Sequence, residues 1–450
     1  MEKINSLLLV LALSLMGINP SIAQVVDTLN VEASVDVPVD TLGVNAGTEA
    51  ESEYDMRVAA ILPFFTQLVV DTVGPPPRRE WKMREIAMEY VNGLRWAAKR
   101  LSDAGYDVEL SLYDEVPDSL GESLWGTEDL MGVDVVMGPM QQSVLSRNLR
   151  VVEKSGAEHI LITKVNPHIV QTGEHVRSSL PDPSRFVDLI VDKVVSDHVN
   201  DNVIFVMAGG ADTRIEQEFL EKYPVAPAAY DSLKVDSLRF DTVMGTKHSI
   251  GSLAEKIQFY ERNVIISLAS RRSKSMLSSL QSAVQVNDST EIFVYAGSEL
   301  MDWGFIDLAF LERTRTTIPR SGVIDWSDST VVDAVLVYRN HYDTEPSKYA
   351  IRAHDALLDA FVRKMGEMPI DSMLLATDSL ATWDLSTLPK PIATDFNWSQ
   401  LGEEGEGGFV NSTWELSTFH LGKWCDTDTV PGLAPFIEPE LDEEGFYIRP

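Results

Sequence analysis

Cysteine and basic residues are scarce in this 450-residue chain, and each shortage narrows what the protein can be. Cys425 is the one cysteine, so an internal disulfide is excluded, and we interpret it as a core or surface thiol. Lys and Arg number 37 against 69 Asp and Glu, which gives a formal net charge of -32. This charge argues against partners such as nucleic acid or an anionic membrane, because both would be repelled. Small ligands remain compatible with it.

Sequence patterns of common catalytic sites are also missing. The chain has no Gly-x-Ser-x-Gly, no phosphate-binding loop with Lys and no His-Glu-x-x-His. The stretch AGGADT lacks the full dinucleotide fingerprint. Its eight histidines are scattered, and none pairs with another at a helical spacing of three or four residues. We therefore predict a protein that is not an enzyme and that needs no cofactor and no metal.

Long apolar runs are confined to the amino terminus. Lys3 precedes the run SLLLVLALSLMG, and Ser21 and Ala23 occupy the small-residue positions of a signal-peptidase site. Residues 1–23 are therefore predicted to be a signal peptide, and the mature chain is expected to begin at Gln24 without a lipid anchor. Residues 24–55 contain no Lys or Arg and predict an acidic disordered linker. We expect a periplasmic or secreted protein with no membrane insertion after signal removal.

Strand and helix patterns alternate through the rest of the chain. A first series of buried strands is predicted at RVAAILPFF, VDVVMGP and HILITK, and a second at NVIFVMAGG, RNVIISLAS and EIFVYAGSE. Apolar residues at helical spacing follow the first strand, at Ile86, Tyr90, Leu94, Ala97 and Leu101. Such alternation indicates an α/β protein with doubly wound parallel sheets. Two series predict two lobes joined by a hinge.

Four stretches of the chain carry a family resemblance. In chain order they read VDVVMGPMQQS, EIFVYAGSEL, YRNHYDTEPSKYAIRAHDALLDAF and FNWSQLGEEGEGGFVNSTWELSTFHLGKW. Their order resembles the type I periplasmic solute-binding proteins, in particular the branch that binds leucine, isoleucine and valine. The resemblance covers roughly residues 55 to 430, and the order of the stretches is more specific than any one of them.

This resemblance implies both a domain division and a function. It implies that lobe 1 consists of residues 56–175 and 315–395, and lobe 2 of residues 176–314 and 396–450. The two lobes are expected to close around a small polar ligand, such as an amino acid or short peptide, for uptake or sensing. A membrane transporter or receptor is the partner that this function implies. The alternative is an envelope scaffold that keeps the fold without binding a small ligand.

In lobe 1, the resemblance places the ligand at the carboxyl ends of strands. The residues it implies are Gly138, Gln141, Gln142, Ser143, Thr163, Lys164 and Asn166. Backbone amides and a helix amino terminus at such an edge favour a carboxylate or phosphate. Gly138 permits a close backbone approach, and Gln141, Gln142 or Ser143 can cap the helix that follows. The alternative is that Ser143 only caps its helix.

In lobe 2, the loop AGGADTR after the first strand of that lobe is expected to contribute Asp212, Thr213 and Arg214, and the resemblance implies Ser298 and Glu299. Glu299 stands where amino-acid-binding relatives place an acid for the ligand's ammonium group. Its alternative is an ordinary exposed glutamate at a strand end. Arg214 suits a carboxylate, although a surface salt bridge is the alternative for it.

Two departures from the family pattern bear on the ligand. Ala353-His354-Asp355-Ala356 replaces the Gly-Tyr-Asp-Ala that relatives often show. We predict that His354 is packed in its helix or hydrogen bonded to Asp355 rather than titrating. A proline-rich stretch, TQLVVDTVGPPPRREWK, follows the first strand and is expected to be a long loop above the cleft. In the scaffold alternative, this loop fills the cleft.

Overall fold

The computed structural model describes ten stretches of the chain, all within one compact unit, Glu53–Pro450. They are residues 54–66, 78–118, 121–207, 213–226, 239–245, 250–268, 277–282, 290–367, 388–402 and 406–433. The predicted signal peptide, the predicted linker as far as residue 53, and residues 67–77 of the proline-rich stretch lie outside the described residues.

Seven strands of the described chain form the first sheet, which is the centre of lobe 1. Strand β1 (Met56–Leu62) is buried almost throughout, as its continuous apolar run predicts. The spatial order is β11 (Trp398–Gln400), β12 (Phe409–Asn411), β5 (Val176–Ser178), β4 (Glu158–Leu161), β3 (Val135–Met137), β1 and β2 (Val108–Asp114). All neighbours are parallel except β11 and β12.

Seven further strands form the second sheet, which is the centre of lobe 2. Their order is β14 (Lys423–Asp426), β13 (Glu415–His420), β10 (Thr317–Arg320), β9 (Glu291–Ala296), β8 (Arg262–Ser267), β6 (Asn202–Met207) and β7 (Phe240–Met244). Strand β13 is antiparallel to both of its neighbours, and the other pairs are parallel. The α/β class, the two sheets and the assignment of each predicted strand series to one sheet are confirmed.

The lobe boundaries differ from those that the family resemblance implied. Strands β5, β11 and β12 complete the first sheet, although residues 176–178 and 396–411 were expected in lobe 2. Strand β10 belongs to the second sheet, although residues from 315 onward were expected in lobe 1. The sheet to which each of these strands belongs is decided by its pairing with other strands. A strand of three or four residues is too short for its sequence periodicity to identify that partner.

Helices cover the faces of both sheets. They include α1 (Arg78–Asp103), α2 (Gln142–Ser155), α3 (Pro167–Val170), α4 (Pro183–His198), α5 (Thr213–Lys222), α6 (Ile250–Ala254), α7 (Leu308–Arg313), α8 (Ser329–Tyr342) and α9 (Lys348–Glu367). Short 3₁₀ turns lie at Glu128–Leu130, Ser298–Asp302 and Thr427–Thr429. The predicted periodic residues Tyr90, Leu94 and Leu101 of α1 are buried in a core shared with α9 and β1.

Helices α1 and α9 approach each other closely at Gly93. A Cβ atom at Gly93 would lie 2.1 Å from the backbone oxygen of Ala350 on α9. Nearby, the ring of Tyr90 packs 5.7 Å from the ring of Tyr349. The absent side chain is therefore what lets these two helices share one face of the lobe 1 sheet.

Three connections join the lobes, at residues 179–182, 321–328 and 412–414. The first and third are tied by hydrogen bonds. The side-chain amide of Asn411 donates to the backbone oxygen of Ser179 at 3.2 Å, and Nε1 of Trp414 donates to the backbone oxygen of Asp182 at 2.9 Å. These bonds hold two of the three connections side by side at the hinge.

Two features are absent from the described residues, a helix that could span a membrane and a cluster of metal ligands. None of the helices there is both long enough and apolar enough to cross a membrane. The same residues contain no group of three or more His, Cys, Asp or Glu side chains that could hold a metal ion.

Candidate functional site

A cavity of about 230 Å³ lies beside the hinge and is lined by both lobes. Lobe 1 contributes Lys164, Val170 and Val410 among others, and helix α5 of lobe 2 contributes Arg214 and Ile215. The first hinge connection supplies part of the wall between them, at residues 180–182. Lys164 and Arg214 are thus two of the predicted site residues that the fold brings to one cavity.

The cavity carries charges of both signs. Asp182 caps helix α4, because its Oδ1 accepts from the backbone N–H of Ser184 at 3.0 Å. Its other oxygen, Oδ2, lies 3.8 Å from Nη2 of Arg214. The Arg214 side chain is 64% exposed, so this ion pair is weak and its partners can be exchanged for those of a ligand. Lys164 is exposed beside them.

Asp182 is a residue of the cavity that the sequence analysis missed. The signal PDPSR, an aspartate followed by proline at a helix start, identifies Asp182 as a helix cap. Nothing in that signal shows that the same carboxylate also faces α5. Its position near Arg214 depends on how the hinge orients the two lobes.

The Gly-Pro loop after β3 is held by the protein itself. Gly138 has φ +99, and a Cβ atom there would lie 2.2 Å from the backbone oxygen of Ile61. The close approach predicted at Gly138 is therefore to strand β1. Below the loop, Nε2 of the fully buried His159 donates to the backbone oxygen of Gly138 at 2.6 Å. Burial is the main cause that lowers the pKa of His159 to about 4, so the imidazole is neutral.

Glu115 occupies two amides of the loop that we expected to hold a ligand. Its Oε2 accepts from the backbone N–H of Met140 at 2.5 Å and from that of Gln141 at 3.3 Å. The residue is 3% exposed, and Oε1 has no hydrogen-bond partner in the described part of the chain. Burial raises the pKa of the Glu115 carboxyl, although the bonds from the loop oppose this shift.

The other predicted residues of lobe 1 have local bonding partners or face solvent. Helix α2 begins with Gln141 as its N-cap, and no side-chain capping bond forms there, so the predicted cap is wrong. Gln142 and Ser143 are exposed in its first turn. Thr163 Oγ1 donates to the backbone oxygen of Met140 at 3.1 Å, which joins the two predicted segments of this wall.

Asn166 is the N-cap of helix α3. Its side-chain oxygen accepts from the backbone N–H of His168 at 3.1 Å. The residue itself is exposed, and Lys164, Val165 and Pro167 around it line the cavity. The bond gives Asn166 a structural role, whatever it contributes to ligand binding.

In lobe 2, the predicted residues are dispersed along the chain and are only partly described. Asp212 lies outside the described residues, and Thr213 is described only as the first residue of α5. Ser298 and Glu299 form the start of the 3₁₀ turn that follows β9. Glu299 is exposed, and neither residue is among those that line the 230 Å³ cavity. The role assigned to Glu299 stays a prediction.

His354 and Asp355 form a buried network, as predicted. Nδ1 of His354 donates to Oδ1 of Asp355 at 2.7 Å, and Nη1 of Arg100 donates to Nε2 at 3.0 Å. The His354 ring also packs 4.2 Å from the ring of Trp96. Burial lowers the pKa of His354, so the imidazole is neutral and serves as a link between an arginine and a carboxylate.

Comparison with known proteins identifies the fold. No protein-family model and no curated protein sequence matches the chain. Among solved structures, a protein assigned as a branched-chain amino acid ABC transporter from Rhodospirillum rubrum is 13% identical, with a TM-score of 0.51. The alignment covers 82% of this chain and 99% of that one.

Two other solved structures are similar over comparable lengths. An ABC transporter substrate-binding protein from Desulfitobacterium hafniense, in complex with Leu, is 12% identical with a TM-score of 0.47. The C-domain of LpoA from Haemophilus influenzae, a regulator of PBP1A, is 10% identical with a TM-score of 0.46. Each covers 82% of this chain and is itself covered to 99%. With the strand order of its two sheets, the Rhodospirillum rubrum similarity shows that the chain has the type I periplasmic binding protein fold.

Proposed function

We propose that the chain is an exported, non-catalytic solute-binding protein whose two lobes close around a small polar ligand. The observation that carries the proposal is the cavity of about 230 Å³ beside the hinge, which takes its lining from both lobes. A ligand held there gains contacts to both lobes only when they are close together, and it therefore shifts the population toward closure. A membrane transporter or receptor is the partner class that this action serves.

The charges of the cavity favour a zwitterion. Lys164 and Arg214 are placed to receive a carboxylate, and Asp182 is placed to receive an ammonium group. An amino acid or short peptide carries both groups at a spacing that such a cavity can match. The name of the Rhodospirillum rubrum neighbour, a branched-chain amino acid transporter, agrees with this ligand class.

In this proposal the ligand's carboxylate binds at Lys164 and Arg214 and not at the Gly138 loop. Two amides of that loop donate to Glu115, and a second carboxylate there would meet a buried acid. Glu299 remains a candidate for the ammonium group from the family resemblance alone.

The proposal is tested by a thermal-shift screen of amino acids, short peptides, sugars and nucleosides. A ligand present at about a hundred times its dissociation constant adds about 2.7 kcal/mol to the free energy of unfolding. For a protein of this size we expect the melting temperature to rise by a few degrees. We expect amino acids or short peptides, and not neutral sugars, to give this rise.

Matched variants then locate the site. Arg214→Gln is expected to weaken the binding of a hit about tenfold, because it removes one charge-assisted contact to the carboxylate. Arg185→Gln is the control, since Arg185 is exposed near the start of α4 and does not line the cavity. Equal binding by Arg214→Gln and the wild-type protein would reject this cavity. A loss with Glu299→Gln alone would favour the site implied by the family resemblance.

The scaffold function is the second candidate, and Glu115 is the observation that favours it. The backbone N–H groups of Met140 and Gln141 already donate to the Glu115 carboxylate. A binding protein would keep such donors free for its ligand. In that case no compound of the screen changes the melting temperature. The Glu115→Gln variant would also bind nothing, because the loop serves only to hold the fold.

A further inference from the structure

A second crevice, of about 500 Å³, opens at the hinge with a lining different from that of the 230 Å³ cavity. We call it the hinge crevice and define it by Arg320–Ile324, Trp326, Lys348, Arg352 and Lys423–Trp424 together with the hinge residues beside them. Lobe 1 supplies the start of α9, whereas lobe 2 supplies the end of β10 and the start of β14. Among the described residues, Pro181 is the one that lines both the hinge crevice and the 230 Å³ cavity.

The hinge crevice is basic on a strongly acidic chain. Four cationic side chains line it, namely Arg320, Lys348, Arg352 and Lys423, and none of its described lining residues is Asp or Glu. The chain as a whole has 69 acidic against 37 basic residues. A concentration of positive charge against this background attracts anions to one place, because the walls of a crevice focus the local field.

The positive charge of the hinge crevice is only partly compensated. Arg320 lies opposite Glu415 in the register of β10 and β13, and no ion pair within 4.0 Å joins them. Arg320 is half-buried, and this burial lowers the pKa of its guanidinium, whereas the Glu415 carboxylate opposes the shift. Lys423 is exposed and makes no ion pair with an acidic residue of the described chain. Arg352 lies near the Tyr90 hydroxyl, where it opposes the rise in the Tyr90 pKa that burial causes.

The shape of the hinge crevice suits an organic ligand. Its volume lies within the usual range of ligand sites, about 300 to 1,000 Å³. Trp326 and Trp424 supply apolar surface on its wall, and the two arginines offer planar forks that match carboxylate and phosphate oxygens. The combination differs from the small cavity, where charges of both signs favour a zwitterion.

We propose that the hinge crevice is a second binding site, for a small organic polyanion that carries phosphate or carboxylate groups. The anion contacts Lys348 and Arg352 of lobe 1 and Arg320 and Lys423 of lobe 2, so it bridges the lobes at a place separate from the smaller cavity. It also neutralises the repulsion among the four cations. Its occupancy therefore holds the two lobes in the relative orientation that brings these cations together.

The test is isothermal titration calorimetry on the full chain at low ionic strength, with pyrophosphate and citrate as two separate probes. We expect one of them to bind, and its affinity to fall as salt is added. Pyrophosphate alone would assign the site to phosphate groups, citrate alone to carboxylates, and both to polyanions in general. No heat from either probe overturns the proposal and leaves the zwitterion screen unaffected.

A matched pair of variants distinguishes binding at the hinge crevice from a general attraction of anions to positive charge. Lys423→Glu is expected to weaken the bound probe about tenfold, because it replaces a contact by repulsion. Lys154→Glu changes the net charge equally on an exposed lysine of α2 outside the crevice, and it is expected to leave the affinity within about twofold. Equal losses in the two variants, or none in either, overturn the proposal. A melting temperature for each variant confirms that both are folded.

Discussion

Asp355, the aspartate of the Ala-His-Asp-Ala stretch, has a structural role in this chain. Its Oδ1 accepts from His354 and from the backbone N–H of Ile392, and its Oδ2 accepts from those of Ala393 and Thr394. The carboxylate is fully buried, so these four bonds replace the water that it loses. They fix the chain segment that returns from α9 to β11, and two of its residues line the hinge crevice. The aspartate of the family pattern is therefore an anchor in this chain.

His159 makes the stability of the protein depend on pH. Its pKa is lowered to about 4 in the folded state, and its usual value is 6.5. The unfolded chain therefore binds a proton that the folded chain does not, and stability is lost as the pH falls from about 6.5 toward 4. Between about pH 7.5 and about pH 5, this residue alone is expected to cost about 2 kcal/mol of the free energy of unfolding. Urea unfolding at the two pH values measures the loss.

The His159→Gln variant isolates this contribution from those of the many carboxyl groups. A glutamine amide can still donate to the backbone oxygen of Gly138, but it does not titrate. We expect the variant to lose about 2 kcal/mol less than the wild-type protein over the same pH interval. His354 remains in both proteins and cancels, although burial lowers its pKa in the same direction. An identical pH dependence of the two proteins would show that His159 is not held neutral.

Long elements of this fold could be predicted from the sequence, and short ones could not. Strand β1 and helix α1 have runs of seven and 26 residues, long enough for an apolar pattern to show. Strands β5, β11 and β12 have three residues each, and β12 joins the first sheet by pairing with β5, at Phe409 and Arg177, far away in sequence. The lobe boundaries were misplaced at these short strands and at β10 for this reason.

The candidate site also contains some residues that could be predicted from the sequence and others that could not. Lys164 was selected through the family resemblance and Arg214 through its residue type and its place after a strand, and both line the same cavity. Asp182 and Glu115 were missed, because each acts through a contact with an element distant in sequence or through burial. For Glu115, the distance to Met140 is 25 residues along the chain, and no local pattern connects them.

The contact between α1 and α9 gives a prediction at the scale of elements. Gly93→Ala would place a methyl group 2.1 Å from the Ala350 backbone oxygen, and neither helix can yield without disturbing the core. We expect a loss of about 2 kcal/mol in the free energy of unfolding, measured by urea titration. Gly366→Ala is the matched control, because that helical glycine has open space around it and its alanine variant should be as stable as the wild type or slightly more so. Equal stability of both variants would contradict the packing described.

At the scale of the molecule, the hinge is the place where the two proposed sites meet. The cavity with Lys164 and Arg214 and the hinge crevice share Pro181, and each is lined by both lobes. Hydrogen bonds from Asn411 and Trp414 connect the first and third connections, so these move together. A change in the relative orientation of the lobes must therefore alter both sites, which makes their ligands thermodynamically coupled.

Lobe closure is the last prediction, and small-angle X-ray scattering measures it. A zwitterion that gains contacts to both lobes is expected to lower the radius of gyration, because it stabilises only the closed arrangement. The Arg214→Gln variant should need about tenfold more of the same compound for the same decrease, whereas Arg185→Gln should match the wild type. Moving the population from one per cent to ninety-nine per cent closed needs about 5.5 kcal/mol of preference for the closed state, so a weak hit should give only a partial decrease. A compound that raises the melting temperature while the radius of gyration stays constant at saturation would show that it binds without closing the lobes, and the transport or sensing action proposed for the chain would then have no mechanical basis.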